Sequence, residues 1–206
     1  RDFRFFEPLR VRWAEVDMQK IVFNGHYLMY LDTAVAAYWR AMAMPYHETM
    51  QRLEGDFYVR KATLEYHASA HYDDRLDVGL KCARIGNSSL QYVAGIFRGD
   101  ELLISGELIY VFADPATQTS KAVPPALRDW FAAFERGDAM LDLRRGGWDA
   151  LGAEARALRS AVFVDEQKIP AELEWDADDA DAVHVVAFNR LGTALGTGRL
   201  LRQPGG

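Results

Sequence analysis

The sequence predicts an α+β fold in which one long apolar helix is wrapped by a curved antiparallel sheet. Three observations point to it. Tyr27, Leu31, Ala34, Val35, Tyr38 and Met42 fall on one stripe at helical spacing. Residues 57–112 then hold about four runs of β-forming residues divided by turn signals. No second long helical pattern interrupts those runs, so the strands are expected to pair in meander order and to cover the helix.

Taken in order, residues 3–13 read as a first strand, and Val11, Trp13 and Val16 carry strand character up to a polar loop holding Asp17, Gln19 and Lys20. Asn24 stands where an N-cap belongs, its side-chain oxygen able to accept from a free N–H two or three residues on. The helix is expected to run through Met44, with Pro45 as its stop. Residues 46–55 hold another helical turn or two. Residues 57–69 form a long strand on Tyr58, Ala62, Leu64 and Tyr66, with Arg60 and Lys61 between them, and Tyr72-Asp73-Asp74 is a turn. Leu76, Val78, Leu80 and Cys82 alternate with Asp77, Gly79, Lys81 and Ala83, as a half-buried strand does. Gly86-Asn87-Ser88 leads into a strand over 90–98, and Gly99-Asp100 is a hairpin turn. Residues 102–112 are nearly all apolar, as a strand inside a sheet would be. Pro124-Pro125 opens a helix with its stripe at Leu127, Trp130, Phe131 and Phe134.

The bulk numbers bound the function. With 206 residues the chain has room for one or two domains, and with 50% apolar residues it can build a packed core. The net charge of -6 argues against a general nucleic-acid or membrane-surface binder. No apolar run reaches the ~20 residues of a spanning helix, and no signal-peptide pattern opens the chain. One cysteine, Cys82, excludes an internal disulfide and fits a reducing compartment, so a cytoplasmic location is expected. Sharing a strand face with Leu76, Val78 and Leu80, it reads as a buried structural thiol. The chain opens on Arg1 rather than Met and closes on Pro-Gly-Gly, and both ends read as truncated.

Chemistry concentrates before the long helix. Asp17 precedes a helix start whose N–H groups lack partners and carry partial positive charge. That combination suits attack on a carbonyl: the amides can hold a developing oxyanion, and the carboxylate can activate water or attack directly. By pattern alone Asp17 also reads as a turn carboxylate, and Asn24 as a helix cap.

The residues Asp17, Val22-Phe23-Asn24, Tyr27-Leu28 and Asp32, in this order and spacing, resemble the entry motif of hotdog-fold acyl-CoA thioesterases, in particular the 4-hydroxybenzoyl-CoA thioesterase-like group that includes the Tol-Pal-associated thioesterases. Residues 109–124 resemble that family's last long strand and exit, and the resemblance covers residues 3–134. It implies a hotdog fold, hydrolysis of an acyl-CoA with Asp17 as general base or nucleophile, and a substrate site formed by Asn24, Gly25, His26 and Tyr27. It implies no metal and no cofactor beyond the CoA thioester itself. The family pairs two sheets into a dimer with the site at the seam, so a homodimer or dimer of dimers is expected, with Asp32 at the seam or facing solvent. The family often has Gly where this chain has Lys20, a difference in the loop that carries Asp17. Arg60 and Lys61 could meet CoA phosphates, or belong to a solvated face. His67 and His71 are four apart but straddle a strand end, so no metal site is expected of them.

Residues 1–136 are thus read as a hotdog thioesterase-like domain and 137–206 as a second one, with a linker around residues 135–138. In the second, residues 140–145 read as a strand, 148–163 as a helix with its stripe at Leu151, Ala155, Leu158 and Val162, and residues 183–188 and 194–201 as strands. The run 158–167, then Glu174 and Asp176, His184 and Gly196-Thr197-Gly198-Arg199-Leu200, is similar to the first half of GCN5-related N-acetyltransferases (GNAT). That family holds the acetyl-CoA pyrophosphate on a Gly-rich loop opening a helix. Here Gln203-Pro204-Gly205-Gly206 matches its first positions only by chance-level spacing. Glu166 and Glu174 read as an acidic surface loop. A second reading of the whole chain follows: a non-catalytic acyl-CoA-binding or oligomerisation module serving an acetyltransferase.

Overall fold

A computed structural model describes residues 2–175 and 177–201. It divides into two compact units, residues 1–138 and 139–206. Asp176 and the stretch from Gln203 to Gly206 lie outside the described residues.

The first unit is built on a five-stranded antiparallel sheet in the order β1-β3-β4-β5-β2, with strands β1 (Phe5–Arg10), β2 (Asp56–Tyr66), β3 (Arg75–Ile85), β4 (Ser89–Arg98) and β5 (Glu101–Ala113). The expected meander holds only for β3-β4-β5, which tight turns such as Gly99 (φ +57) join in sequence. Residues 67–74 are too long a connection for a two-residue hairpin, so β2 crosses to the far side of β5, and β1 closes the other edge on β3. Both neighbours of the apolar β5 are thereby supplied.

Against this sheet lies α1 (His26–Ala41), which buries Tyr27, Tyr30, Leu31, Ala34, Val35, Ala37, Tyr38 and Trp39. Its apolar stripe is the predicted one, but its ends differ. It stops at Ala41 because Ala43 turns left-handed (φ 55) and the Met44 N–H closes back on the Trp39 carbonyl, 3.1 Å. Its N-cap is Gly25, and no side chain caps it. The first strand also ends early. Residues Trp13–Glu15 form a 3-10 turn, because the Glu15 carboxylate accepts from the Arg12 N–H and from the Tyr30 hydroxyl, both at 2.7 Å, and draws the chain inward. A short helix α2 (Tyr46–Arg52) follows α1, and α3 (Pro125–Arg136) buries Leu127, Trp130, Phe131 and Phe134 as expected. It replaces part of the expected linker and ends on Gly137, whose φ of 93 supplies the left-handed cap.

Helix α3 is fastened by polar bonds as well as by area. The Trp130 indole donates to the Met42 carbonyl, 2.9 Å. Glu135 accepts from the Tyr38 hydroxyl (2.5 Å) and from the Cys82 N–H (2.7 Å), so one carboxylate joins α3, α1 and β3. Burial pushes the Cys82 thiol up to about 12, with the Glu135 charge adding to it, which leaves Cys82 an inert core residue.

The second unit is an antiparallel sheet β6-β7-β8: β6 (Asp142–Gly146), β7 (Val183–Phe188) and β8 (Ala194–Leu200), with α4 (Trp148–Arg159) packed on it. Leu151, Ala155, Val186 and Phe188 form its core, with Trp148, Leu158 and Ala194 against them. The expected helix over 148–163 gives way at Ser160 to a π-helical turn, Ser160–Glu166, which rotates Val162 out to solvent. Glu166 is exposed, but Glu174 is not the surface residue the sequence suggested. Its carboxylate pairs with the buried Arg159 guanidinium at 2.5 Å, and Asp179 pairs with Arg159 at 2.7 Å and with Arg199 at 2.6 Å. Burial raises the Asp179 carboxyl, and the two guanidinium groups outweigh it and hold it below the usual carboxylate range. Glu174 and Asp179 of the acidic loop therefore turn inward onto arginines, while Asp178 and Asp181 stay exposed.

Replacing Glu135 by Ala leaves two donors on buried residues, Tyr38 and Cys82, without an acceptor and is expected to lower stability by roughly 2–4 kcal/mol, read from urea melts. Tyr38→Phe removes one donor cleanly and should cost about 1 kcal/mol.

Candidate active site

The sequence places a carboxylate in a short loop before α1, and backbone pairing fixes it there. Val16 and Val22 form an antiparallel bridge, the Asp17 N–H donates to the Ile21 carbonyl and the Lys20 N–H to the Asp17 carbonyl, both at 2.9 Å. Asp17 Oδ1 accepts from the Gln19 N–H at 2.7 Å, an Asx turn, and no partner to Oδ2 is found among the described residues. Lys20 closes the loop with φ 63, the left-handed region that glycine adopts most easily. The Lys20 difference seen in the sequence therefore sits at a position where a side chain costs conformational energy.

A second segment forms the facing wall. Residues 66–71 leave β2 and run beside the loop: Ile21 bridges His71, and the Val22 N–H donates to the Ala70 carbonyl, 2.9 Å. The Ala70 N–H in turn donates to the Tyr27 hydroxyl, 3.0 Å, on the first turn of α1. Burial pushes the Tyr27 phenol above its ordinary range, partly offset by that Ala70 bond, so Tyr27 acts as a neutral strut rather than a base. Tyr66 packs edge-on against Tyr27 at 5.8 Å, and its hydroxyl donates to the Asn24 carbonyl, 3.3 Å.

The two walls enclose a cleft of about 480 Å³ whose lining includes Asp17, Asn24, Tyr27, Tyr66, His67 and Ser69. Asp17 is half-buried at this cleft. Of the residues proposed from sequence, the fold thus brings Asp17, Asn24 and Tyr27 together. Gly25 and His26 are not part of the lining. The His26 N–H is engaged by the Phe23 carbonyl at 2.9 Å, and the His26 ring lies against Phe23 and the Met29 sulfur. The N–H groups of Tyr27 and Leu28, also in the first turn, have no earlier helical carbonyl to bond, and of the two residues Tyr27 lines the cleft.

Arg60 and Lys61 lie elsewhere. Arg60 is exposed at a β-bulge, and Lys61 pairs with Glu107 across β2 and β5 at 3.2 Å. His67 and His71 do not converge: His67 bonds Ser105, and His71 lies against Asp74 and Arg98. Sequence reading missed that Tyr66, His67 and Ser69 share a cleft with Asp17, because that proximity comes from β2 crossing to β5. Arg98 steadies this wall by donating to the Ser69 carbonyl (3.3 Å) and to Asp74 (2.8 Å). Burial raises the Asp74 carboxyl, but the His71 N–H and Arg98 outweigh it and hold it below the ordinary range.

Lys20→Gly should raise stability by about 0.5–1 kcal/mol, since glycine carries the left-handed turn without a Cβ clash, measured by thermal melts. Asp74 is a carboxylate with a depressed folded pKa. It stabilises above the unfolded carboxylate range, and that stability is lost as pH falls through the folded value. Asp74→Asn should therefore cost about 1 kcal/mol at pH 7, and urea melts should show the gap to wild type closing on acidification.

Residues 19–105 match the thioesterase superfamily. The chain is similar to the acyl-CoA thioester hydrolase YbgC of Escherichia coli O157:H7, 27% identical over 124 residues, covering 58% of this chain and 90% of that protein. Among solved structures, the PA5185 protein of Pseudomonas aeruginosa strain PAO1 is 28% identical with a TM-score of 0.56, covering 66% of this chain and 95% of that one. A 1,4-dihydroxy-2-naphthoyl-CoA thioesterase from Synechocystis is 16% identical with a TM-score of 0.58, covering 62% and 95%, and shares the fold. Residues 19–105 thus match the thioesterase superfamily, and the first unit has the hotdog fold that these solved structures share with it.

Proposed function

We propose that the first unit hydrolyses acyl-CoA thioesters to the free acid and CoA. The observation that carries this reading is one cleft lined by both Asp17 and the first turn of α1. A thioester carbonyl lying there would meet the Tyr27 and Leu28 amides, which favour negative charge on its oxygen. Asp17 would act on the carbonyl carbon, either by taking a proton from water or by direct attack to give an anhydride. Similarity to an acyl-CoA thioester hydrolase supports the choice of leaving group. The reaction needs no metal or redox group. A second reading keeps one observation of its own: Asp17 already serves a structural end in its Asx turn. On that reading the cleft binds an acyl-CoA without turning it over and serves the second unit, whose α4, β7 and β8 carry the GNAT-like residues.

The same reading includes a second copy of the chain. Strand β2 is a sheet edge with an exposed outer face, and next to it α1 exposes Leu28 (43%) and Met29 (60%). With Val59, Asp32 and Tyr110 they line a groove of about 440 Å³. Burial pushes the Tyr110 phenol up to about 12, with Asp32 beside it adding to the shift. Edge pairing of two β2 strands would extend the sheet and cover this groove, placing Asp32 at the seam.

Incubating the protein with a panel of acyl-CoAs and measuring free CoA tests the reading. Wild type should release CoA, and Asp17→Asn should lower kcat/KM about 100- to 10,000-fold with its melting curve unchanged. Affinity without release would favour the binding module. For the assembly, Val59→Arg should convert a dimer to a monomer in size-exclusion chromatography with light scattering.

A further inference from the structure

We propose that His67 is the general acid of this cleft, giving a proton to the departing thiol, an inference that rests on the thioesterase reading and deepens it. The cleft lining holds four titratable side chains, Asp17, Tyr27, Tyr66 and His67. Only the imidazole belongs to a class that changes charge near neutral pH. It stands on the wall formed by the end of β2, across from the loop that carries Asp17.

The hydrogen bonds behind His67 set its proton inventory. His67 Nε2 lies 2.8 Å from Ser105 Oγ, and Ser105 Oγ donates to Glu65 Oε2 at 3.4 Å. Glu65 is a carboxylate and can only accept, so the serine proton is directed to it. In that arrangement the serine oxygen is the acceptor toward the ring and Nε2 the donor. This leaves Nδ1 as the exchangeable position, with no partner to it among the described residues. The backbone holds the ring in place: the His67 N–H donates to the Leu103 carbonyl at 2.8 Å.

The step balances as follows. Asp17 takes one proton from water as the water oxygen bonds to the carbonyl carbon. The tetrahedral intermediate collapses, the C–S bond breaks, and its electron pair goes to sulfur. The Nδ1 proton of the imidazolium moves to that sulfur, so CoA leaves as the thiol and His67 is left neutral. Proton exchange with solvent, to which His67 is open, returns Asp17 and His67 to their starting states. General acid help matters most when the leaving thiolate is basic and vanishes when it is stable.

The test uses two thioesters of one acyl group, an N-acetylcysteamine thioester (alkyl thiol) and a 4-nitrothiophenyl thioester (aryl thiol). His67→Gln should lower kcat/KM about 100-fold on the alkyl thioester and change the aryl thioester by no more than about 3-fold. Ser105→Ala should give a milder loss with the same selectivity. Asp17→Asn should depress both substrates alike. Equal losses on both substrates in His67→Gln, or no loss on either, overturn the role proposed for His67 while leaving the thioesterase reading in place. If Asp17→Asn loses nothing on either substrate, the thioesterase reading itself fails and takes this inference with it.

Discussion

Both backbone groups of one buried alanine hold the site together. The Ala70 carbonyl accepts from Val22, and its N–H donates to the Tyr27 hydroxyl. Ala70 is fully buried, so neither bond competes with water. Between them they tie the loop carrying Asp17, the first turn of α1 and the segment after β2 into one unit. Without that tie the segment after β2, distant in sequence from the loop and the helix start, would share no cleft with them. The rest of the first unit supports it: α1 is pressed onto the sheet by its apolar face, and Glu135 fixes α3 across α1 and β3.

Much of the fold was legible because the signals were local. The stripe from Tyr27 to Met42, the alternation from Leu76 to Cys82 and the Gly99 turn each state a period or a break within a dozen residues. What was not legible is long-range. Nothing between residues 57 and 69 says that β2 will pair with β5 rather than β3. That choice follows from the length of the 67–74 connection and from the need of β5 for two neighbours. The same choice carries His67 and Ser69 to Asp17, so the site was read on one wall only. The N-cap was misassigned for a related reason. Asn24 is the stronger capping residue by type, but Phe23 and Tyr66 engage the backbone around it, and the helix begins after Gly25.

The second unit shows the same limit in electrostatic form. A run of Asp and Glu looks solvated when the arginines that pair with it are distant in sequence. Arg159 on α4 and Arg199 on β8 turn it into a compact ionic cluster around Asp179. Trp175, over which the Arg156 and Arg159 guanidinium groups lie at 4.6 and 4.7 Å, completes that packing. The order of this unit thus depends on charges meeting across long sequence separations, whereas the first unit depends on apolar area with a few buried polar ties.

The central claim is spatial: a bound thioester lies between the Asp17 carboxylate and the Tyr27 and Leu28 amides. The most direct measurement is a crystal structure with an acyl-CoA thioether carrying a ketone in place of the thioester carbonyl. The account predicts the ketone oxygen within hydrogen-bond distance of those two amides and its carbon facing Asp17. A ketone bound in the groove between α1 and β2, or seated away from both the carboxylate and the helix start, would contradict it.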